Sequence, residues 1–154
     1  MVTTATERMI TMFDKIMVAI DKSEITDKLL DATVEIAQNK QTQVTLVHVS
    51  QDYVANGMTY IPENFLEDIL NEMEKASWEL LHQAKSKLKS AGINPETIHL
   101  KGDPGHEILN YARDTEQQLI IIGSRGLRGV KEMMLGSVSH KVSQLSSCPV
   151  LIVH

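Results

Sequence analysis

Apolar positions along this chain follow two alternating rhythms: short runs of β-branched and aliphatic residues, and longer stretches in which apolar residues recur every three or four positions. Alternation of this kind predicts βαβ units. The first run, residues 15–20 (Lys-Ile-Met-Val-Ala-Ile), predicts a strand ended by Asp21-Lys22-Ser23, whose short polar side chains suit a turn and a helix N-cap. Ile25, Leu29, Thr33 and Ile36 or Ala37 then recur at helical spacing. Residues 44–49 are nearly all apolar or β-branched, as expected of a strand covered on both faces.

Residues 50–61 show no clear period, contain Gly57 and stop at Pro62, which predicts a long loop followed by a helix. From there Leu66, Ile69, Met73, Ala76, Leu80, Ala84 and Leu88 keep steps of three or four and predict one long amphipathic helix to Ala91, capped by Gly92. Asn94-Pro95 turns the chain into a short strand over 97–101. Gly102-Asp103-Pro104-Gly105 opens a helix carrying Ile108, Leu109 and Ala112. Residues 119–122 predict a fourth strand, a glycine-rich loop and a helix over 138–146 follow, and Pro149 leads a fifth strand to Val153. Right-handed crossovers wind such a chain into a five-stranded parallel sheet with helices on both faces. Ligands of open sheets bind beyond the carboxyl ends of the strands, here Asp21, Val49-Ser50, Lys101-Gly102 and Gly123-Ser124.

The length of 154 residues suits one domain, expected over 13–154 behind a frayed tail at 1–12 that has no apolar core or cleavage site of a signal peptide. A net charge of −5, with no cluster of Lys and Arg, disfavours nucleic acid as a partner. Purely apolar runs such as residues 119–122 are far below the roughly 20 residues of a bilayer span, so no membrane partner is expected. The single Cys148 cannot form an internal disulfide. Together these predict a cytoplasmic protein.

Candidate chemistry concentrates in Gly123-Ser124-Arg125-Gly126-Leu127-Arg128-Gly129 and in Gly136-Ser137 at the mouth of the last helix. Glycines permit positive φ and close backbone approach of a ligand, successive amides form an anion nest, and a helix start adds free N–H groups. Ser124, Ser137 and Ser139 are candidate hydroxyl donors, and Arg125 and Arg128 candidate charges. The pattern is neither a Walker A loop nor a dinucleotide fingerprint.

Gly123-x-x-Gly126, nine residues, then Gly136-Ser137, between an apolar strand and Pro-Val-Leu-Ile-Val, resembles the universal stress protein family in its ATP-binding branch. The likeness covers nearly the whole chain. It includes Ile16-Met17-Val18-Ala19-Ile20-Asp21-x-Ser23, Leu46-Val47-His48-Val49, Gly102-Asp103-Pro104 with Glu107-Ile108, and Gly136-Ser137-Val138-Ser139-His140-Lys141-Val142. The resemblance implies an adenine nucleotide alpha hydrolase-like, Rossmann-type sandwich, a homodimer joined through the last strand, and ATP with Mg or Mn as ligand. It implies Asp21 and the Val49 backbone at the adenosine, with Ala19 and Ile122 beside them. Gly123, Gly126, Gly129, Gly136 and Ser137 would be at the phosphates, flanked by Ser124, Arg125, Val138 and Ser139. Two positions depart from the family pattern: Lys22 stands where Gly is frequent, and Arg125 replaces a common His.

Other residues read more simply. Asp21 has a second expected role as a cap near Ser23. Ser137 and His140 are three apart on one helix, but no strained elbow surrounds them to suggest a hydrolase. The six histidines lack metal-ligand spacing, and His48 is expected to be a satisfied strand histidine. Met133-Met134-Leu135 and Trp78 read as packing, Cys148 as a small buried hydrophobe, and Lys85, Lys87 and Lys89 with Glu72, Glu74 and Glu79 as a solvated helix face. The expected function is a nucleotide-dependent stress-response regulator acting on an unidentified protein partner. The alternatives are a slow ATPase or nucleotidyl-transfer enzyme, for which no general base is evident, and an ATP-independent interaction module.

Overall fold

The computed structural model describes residues 13–38, 41–51, 62–125 and 135–154. The expected tail, most of the 50–61 loop, and Gly126, Arg128, Gly129, Met133 and Met134 lie outside the described residues. Five strands, β1 (Lys15–Ala19), β2 (Gln43–Ser50), β3 (Glu96–Lys101), β4 (Leu119–Gly123) and β5 (Val150–Val153), alternate with four helices, α1 (Ile25–Ile36), α2 (Glu63–Ser90), α3 (Pro104–Asp114) and α4 (Ser137–Leu145). The strands form one parallel sheet in the order β3-β2-β1-β4-β5. The doubly wound α/β fold is therefore the one the alternation predicts.

Because side chains of a strand alternate between faces, β1 feeds two cores. Ile16 and Val18 join Leu46 and Ile121 beneath Leu29 of α1 and Leu81 and Leu88 of α2. Met17 joins Val47, Ile120 and Ile122 beneath Ile108 and Ala112 of α3 and Val142 of α4. Coverage of both faces is why the strands read as continuous apolar runs rather than alternating ones. Thr33 is fully buried in α1, which its hydroxyl tolerates by donating to the Leu29 carbonyl at 2.7 Å.

The element ends differ slightly from expectation, for local reasons. β1 stops at Ala19, yet the Ile20 amide still donates to the Val47 carbonyl at 2.9 Å. Pro62 is the N-cap of α2, so the helix begins at Glu63, one turn before the first apolar member of its stripe. At its other end Gly92 takes φ +84°, its amide donates to Lys89 O and the Ile93 amide to Leu88 O, which closes the helix as a Schellman turn. No helix among the described residues is long and apolar enough to cross a membrane.

Asp103 joins the two helices of the α3–α4 face. As N-cap of α3 it accepts from the His106 amide at 2.9 Å, and it pairs with Lys141 Nζ of α4 at 3.0 Å. The amide first and the ammonium second hold its carboxyl below the usual carboxylate value. Asp103→Ala is expected to lower stability by about 1 kcal/mol at neutral pH, with Asp103→Asn closer to the natural chain. A carboxyl lowered in the folded state contributes stability that is complete above its unfolded value of about 3.9 and lost as pH falls through the folded value. The gap between the natural chain and Asp103→Ala in urea unfolding should therefore narrow below about pH 4.

Candidate functional site

The strand order reverses direction at β1, whose neighbours are β2 on one side and β4 on the other. The chain leaving β1 crosses to α1 while the chain leaving β4 runs toward α4, so their carboxyl ends part and leave a crevice. A cleft of about 780 Å³ opens there, within the range of cofactor pockets. Ala19, Asp21, Val49, Ile122, Gly123 and Arg125 line it from the sheet side, and Gly136, Ser137, Val138 and Ser139 from the start of α4. Residues spread over 120 positions of sequence thus meet at one edge.

Each of these is fixed locally. Asp21 Oδ1 accepts from the Ser23 amide at 2.8 Å and from the Ser23 hydroxyl, and the Asp21 carbonyl accepts from Thr26 Oγ1 at 2.7 Å. Its carboxylate therefore organises the β1–α1 turn while lining the cleft. The N-cap of α1 is Glu24, without a side-chain cap, so the capping expected near Ser23 takes the form of this Asp21 turn. The glycine-rich segment is closed at its base: the Gly136 amide donates to Ser124 O at 2.7 Å, and the Ser124 amide to Val153 O at 2.8 Å. Ser139 Oγ lies 3.1 Å from Ser124 O and 3.0 Å from Gly136 O.

Two of the three candidate serines consequently belong to the scaffold. Ser124 is 3% exposed and does not line the cleft, and the hydroxyl of the 2% exposed Ser139 is directed at loop carbonyls. Ser137 is exposed at the first position of α4. Gly136 caps this helix with no side-chain hydrogen bond and no acidic residue occupies its first turn, so first-turn amides and their partial positive charge remain for an anion. The glycines act through space rather than through φ. Among the described glycines positive φ occurs at Gly92 and Gly102 but not at Gly123 or Gly136. A Cβ on Gly123 would stand 2.6 Å from Ile25 Cγ2, and one on Gly136 3.3 Å from Ser124 O.

Sequence reasoning missed one wall of the cleft. Asp68, Ile69, Glu72, Met73 and Ala76 of α2 line it, although Ile69 and Met73 read as core and Glu72 as a solvated face. Side chains of α2 are fully buried only at Ser77, Leu81, Ala84 and Leu88. The signal was available in length: 28 helical residues span about 42 Å, and the eight residues of β2 about 26 Å. The helix overhangs the sheet, and the overhanging turns face the cleft. His140 is exposed and does not line the cleft, so it is not placed beside Ser137 as a base within it. His48 is satisfied as its strand position predicts, with Nδ1 2.9 Å from Ile20 O.

These features define a doubly wound α/β protein whose ligand cleft lies at the switch in strand order. The sequence profile of the universal stress protein family matches residues 12–154, and the chain belongs to that family. It is 49% identical to universal stress protein YxiE of Bacillus subtilis over 92% of this chain and 99% of that one. Among solved structures, that of MJ0577 of Methanocaldococcus jannaschii superposes with a TM-score of 0.80 at 30% identity, over 92% of this chain and 96% of that chain. The universal stress protein of Archaeoglobus fulgidus, solved in complex with dAMP, superposes with a TM-score of 0.66 at 25% identity, over 93% and 99%.

The packing role of Gly123 can be separated from any ligand role. Gly123→Ala is expected to cost about 1–3 kcal/mol by overpacking against Ile25. In the double variant with Ile25→Ala the clashing methyl is gone, so the combined loss in urea unfolding should be smaller than the sum of the two single losses.

Proposed function

We propose that this chain is an ATP-binding stress-response regulator, a cytoplasmic homodimer whose nucleotide occupancy changes the surface offered to a protein partner. The observation that carries the reading is the gathering of Asp21, Val49, Gly123 and the uncapped start of α4 around one cleft at the switch point. The A. fulgidus relative's complex with dAMP supports an adenine nucleotide as the ligand class. Asp21 and the Val49 backbone receive the adenosine, and Gly123, Gly136 and Ser137 the phosphates, with Arg125 supplying charge. Ala19, Ile122, Val138 and Ser139 shape the walls between them.

The residues present fit this ligand. The cleft is large enough, its two cations Lys22 and Arg125 lie on the sheet side, and α4 directs a half-positive end toward it. Among the described residues no group of three His, Cys, Asp or Glu side chains could cage a metal ion. Mg or Mn would therefore be held largely by the phosphates and water, as such ions usually are in nucleotide sites.

The protein purified without added nucleotide, then denatured, should release an adenine nucleotide detectable by mass spectrometry. Calorimetry should give micromolar or tighter binding of ATP with magnesium. Arg125→Gln should weaken ATP by about tenfold, or about 1.4 kcal/mol, and adenosine far less, because its charge is directed at phosphate. Folded protein with neither released nucleotide nor ATP binding would instead be an ATP-independent interaction module.

The dimer would form through β5, an edge strand whose four residues are all half-buried. The carbonyls of Pro149 and Val153 are turned to β4, so by alternation Val150 and Ile152 present their backbone groups outward. Ile152→Pro removes one outward donor. Analytical ultracentrifugation should show a dimer for the natural chain and a monomer for this variant.

A further inference from the structure

The parallel register of β2 and β3 sets His48 opposite His99 on the sheet face beneath α2. Their rings stack with centroids 6.0 Å apart and planes inclined by 13°. Each ring has one nitrogen engaged: His48 Nδ1 with Ile20 O at 2.9 Å, and His99 Nε2 with Ser50 Oγ at 2.9 Å. A carbonyl only accepts, so neutral His48 carries its proton on Nδ1. Trp78 of α2 stands edge-on to His99 with centroids 5.8 Å apart. His48 and Ser50 line the cleft, and Ile20 is the residue from which the Asp21 turn departs.

Charges around the pair offer little support for a proton. From β3, Lys101 adds a like charge, and from α2, Glu74 is already paired with Lys101 at 3.0 Å. His82 of α2 is tilted against Trp78, with ring centroids 6.0 Å apart. Asp68 and Glu72 of α2, and Asp21 and Lys22 of the β1–α1 turn, share the cleft. Among the described residues neither imidazole has a carboxylate partner. Burial first, then His48 and Lys101, hold His99 below the ordinary imidazole value, with Glu74 acting weakly the other way.

We propose that the stacked His48–His99 pair is a proton-linked element of the cleft: His48 Nδ1 holds Ile20, and with it the Asp21 turn, in either charge state, and protonation of the pair opposes nucleotide binding. The inference rests on the reading of this cleft as a nucleotide site. A base seated at the ends of β1 and β2 removes water from His48, which makes a charge on the pair costlier. The phosphates would lie across β1 at Gly123 and α4, two strand spacings or about 10 Å from β2, a separation over which solvent and magnesium screen most of their charge. Linkage is reciprocal: if occupancy disfavours the proton, the proton weakens occupancy by the same factor. Affinity is thus full above the pair's titration range and falls as pH drops through it.

The test compares ATP–magnesium affinity by calorimetry from about pH 8 to pH 5.5, the range in which imidazoles titrate, in the natural chain and in a His48→Gln/His99→Gln variant. Titration of the phosphates is common to both, so the ratio of the two affinities isolates the pair. The natural chain should lose affinity relative to the variant toward acid pH, about tenfold for each pH unit by which occupancy lowers the pair's titration. A second measurement needs no variant of the pair. Trp78 is the sole tryptophan, and its fluorescence in the natural chain should titrate with a midpoint that saturating ATP moves to lower pH.

His82→Gln should preserve that movement; its disappearance in this variant would assign the proton to His82 and overturn the proposal. Parallel pH profiles of the two affinities, or a midpoint that saturating ATP leaves in place, would overturn the linkage while leaving the nucleotide reading intact. Absence of ATP binding at every pH would overturn both.

Discussion

The burial of β1 between β2 and β4 is the constraint on which the cleft depends. Its side chains Ile16, Met17 and Val18 are fully buried in two cores on opposite faces of the sheet. A strand so enclosed has no freedom in register, and its end is therefore a fixed point. From that point the chain must leave toward α1, while β4 beside it leaves toward α4. Two elements diverging from adjacent, immobile strand ends necessarily leave backbone groups and a gap between them. Asp21 and Gly123 are the residues at which this divergence begins, so their chemistry is presented by the most rigid part of the molecule.

The polar residues at this edge divide the work between building and binding. Ser124 and Ser139 close the base of the glycine-rich segment, and Ser124 also ties it to Val153 at the end of β5. Ser124 and Gly136, held this way, meet an anion with less of the ordering cost that free residues would incur. It also links the proposed ligand site to the edge strand: the backbone bond from Ser124 to Val153 lies between the cleft and β5, where a second copy would pair. Asp21 does both jobs, since one carboxylate oxygen fastens the Ser23 turn that sets where the side chain stands.

The fold was legible in the sequence because doubly covered parallel strands leave an unusual trace, apolar on both faces and separated by helical stripes. Pro62 and Gly92 marked the long helix to within a residue at each end, through backbone rules that act locally. The site was legible in part. Strand ends are readable, so Asp21, Val49 and Gly123 could be placed at one edge. The split among the serines was not, because whether a hydroxyl at 124, 137 or 139 turns inward depends on the closing distance between two segments remote in sequence. Glycine was read through its φ freedom, whereas at Gly123 the decisive fact is the nearness of Ile25, a tertiary contact. His48 and His99 were visible as residues but not as a pair, since only register brings them into contact.

The overhang of α2 shows how a stability problem and a binding surface can share one cause. Over its second half the helix buries Leu81, Ala84 and Leu88 against the sheet, as an amphipathic helix should. Nearer its start the helix lines the cleft instead, where the apolar stripe continues through Ile69 and Met73. Apolar surface left in this way is unfavourable by roughly 25 cal/mol per Å² relative to burial. A purine is a flat apolar surface with polar edges, and one placed between the strand ends and this stripe would remove part of that exposure. The same geometry sets His48 under the helix at the boundary between the dry core and the wet cleft. An imidazole at such a boundary changes its solvation when the cleft fills, whereas one deeper in the sheet or on the surface does not. The length of α2 thus creates both the apolar wall and the position from which the proposed His48–His99 pair would sense what rests against it.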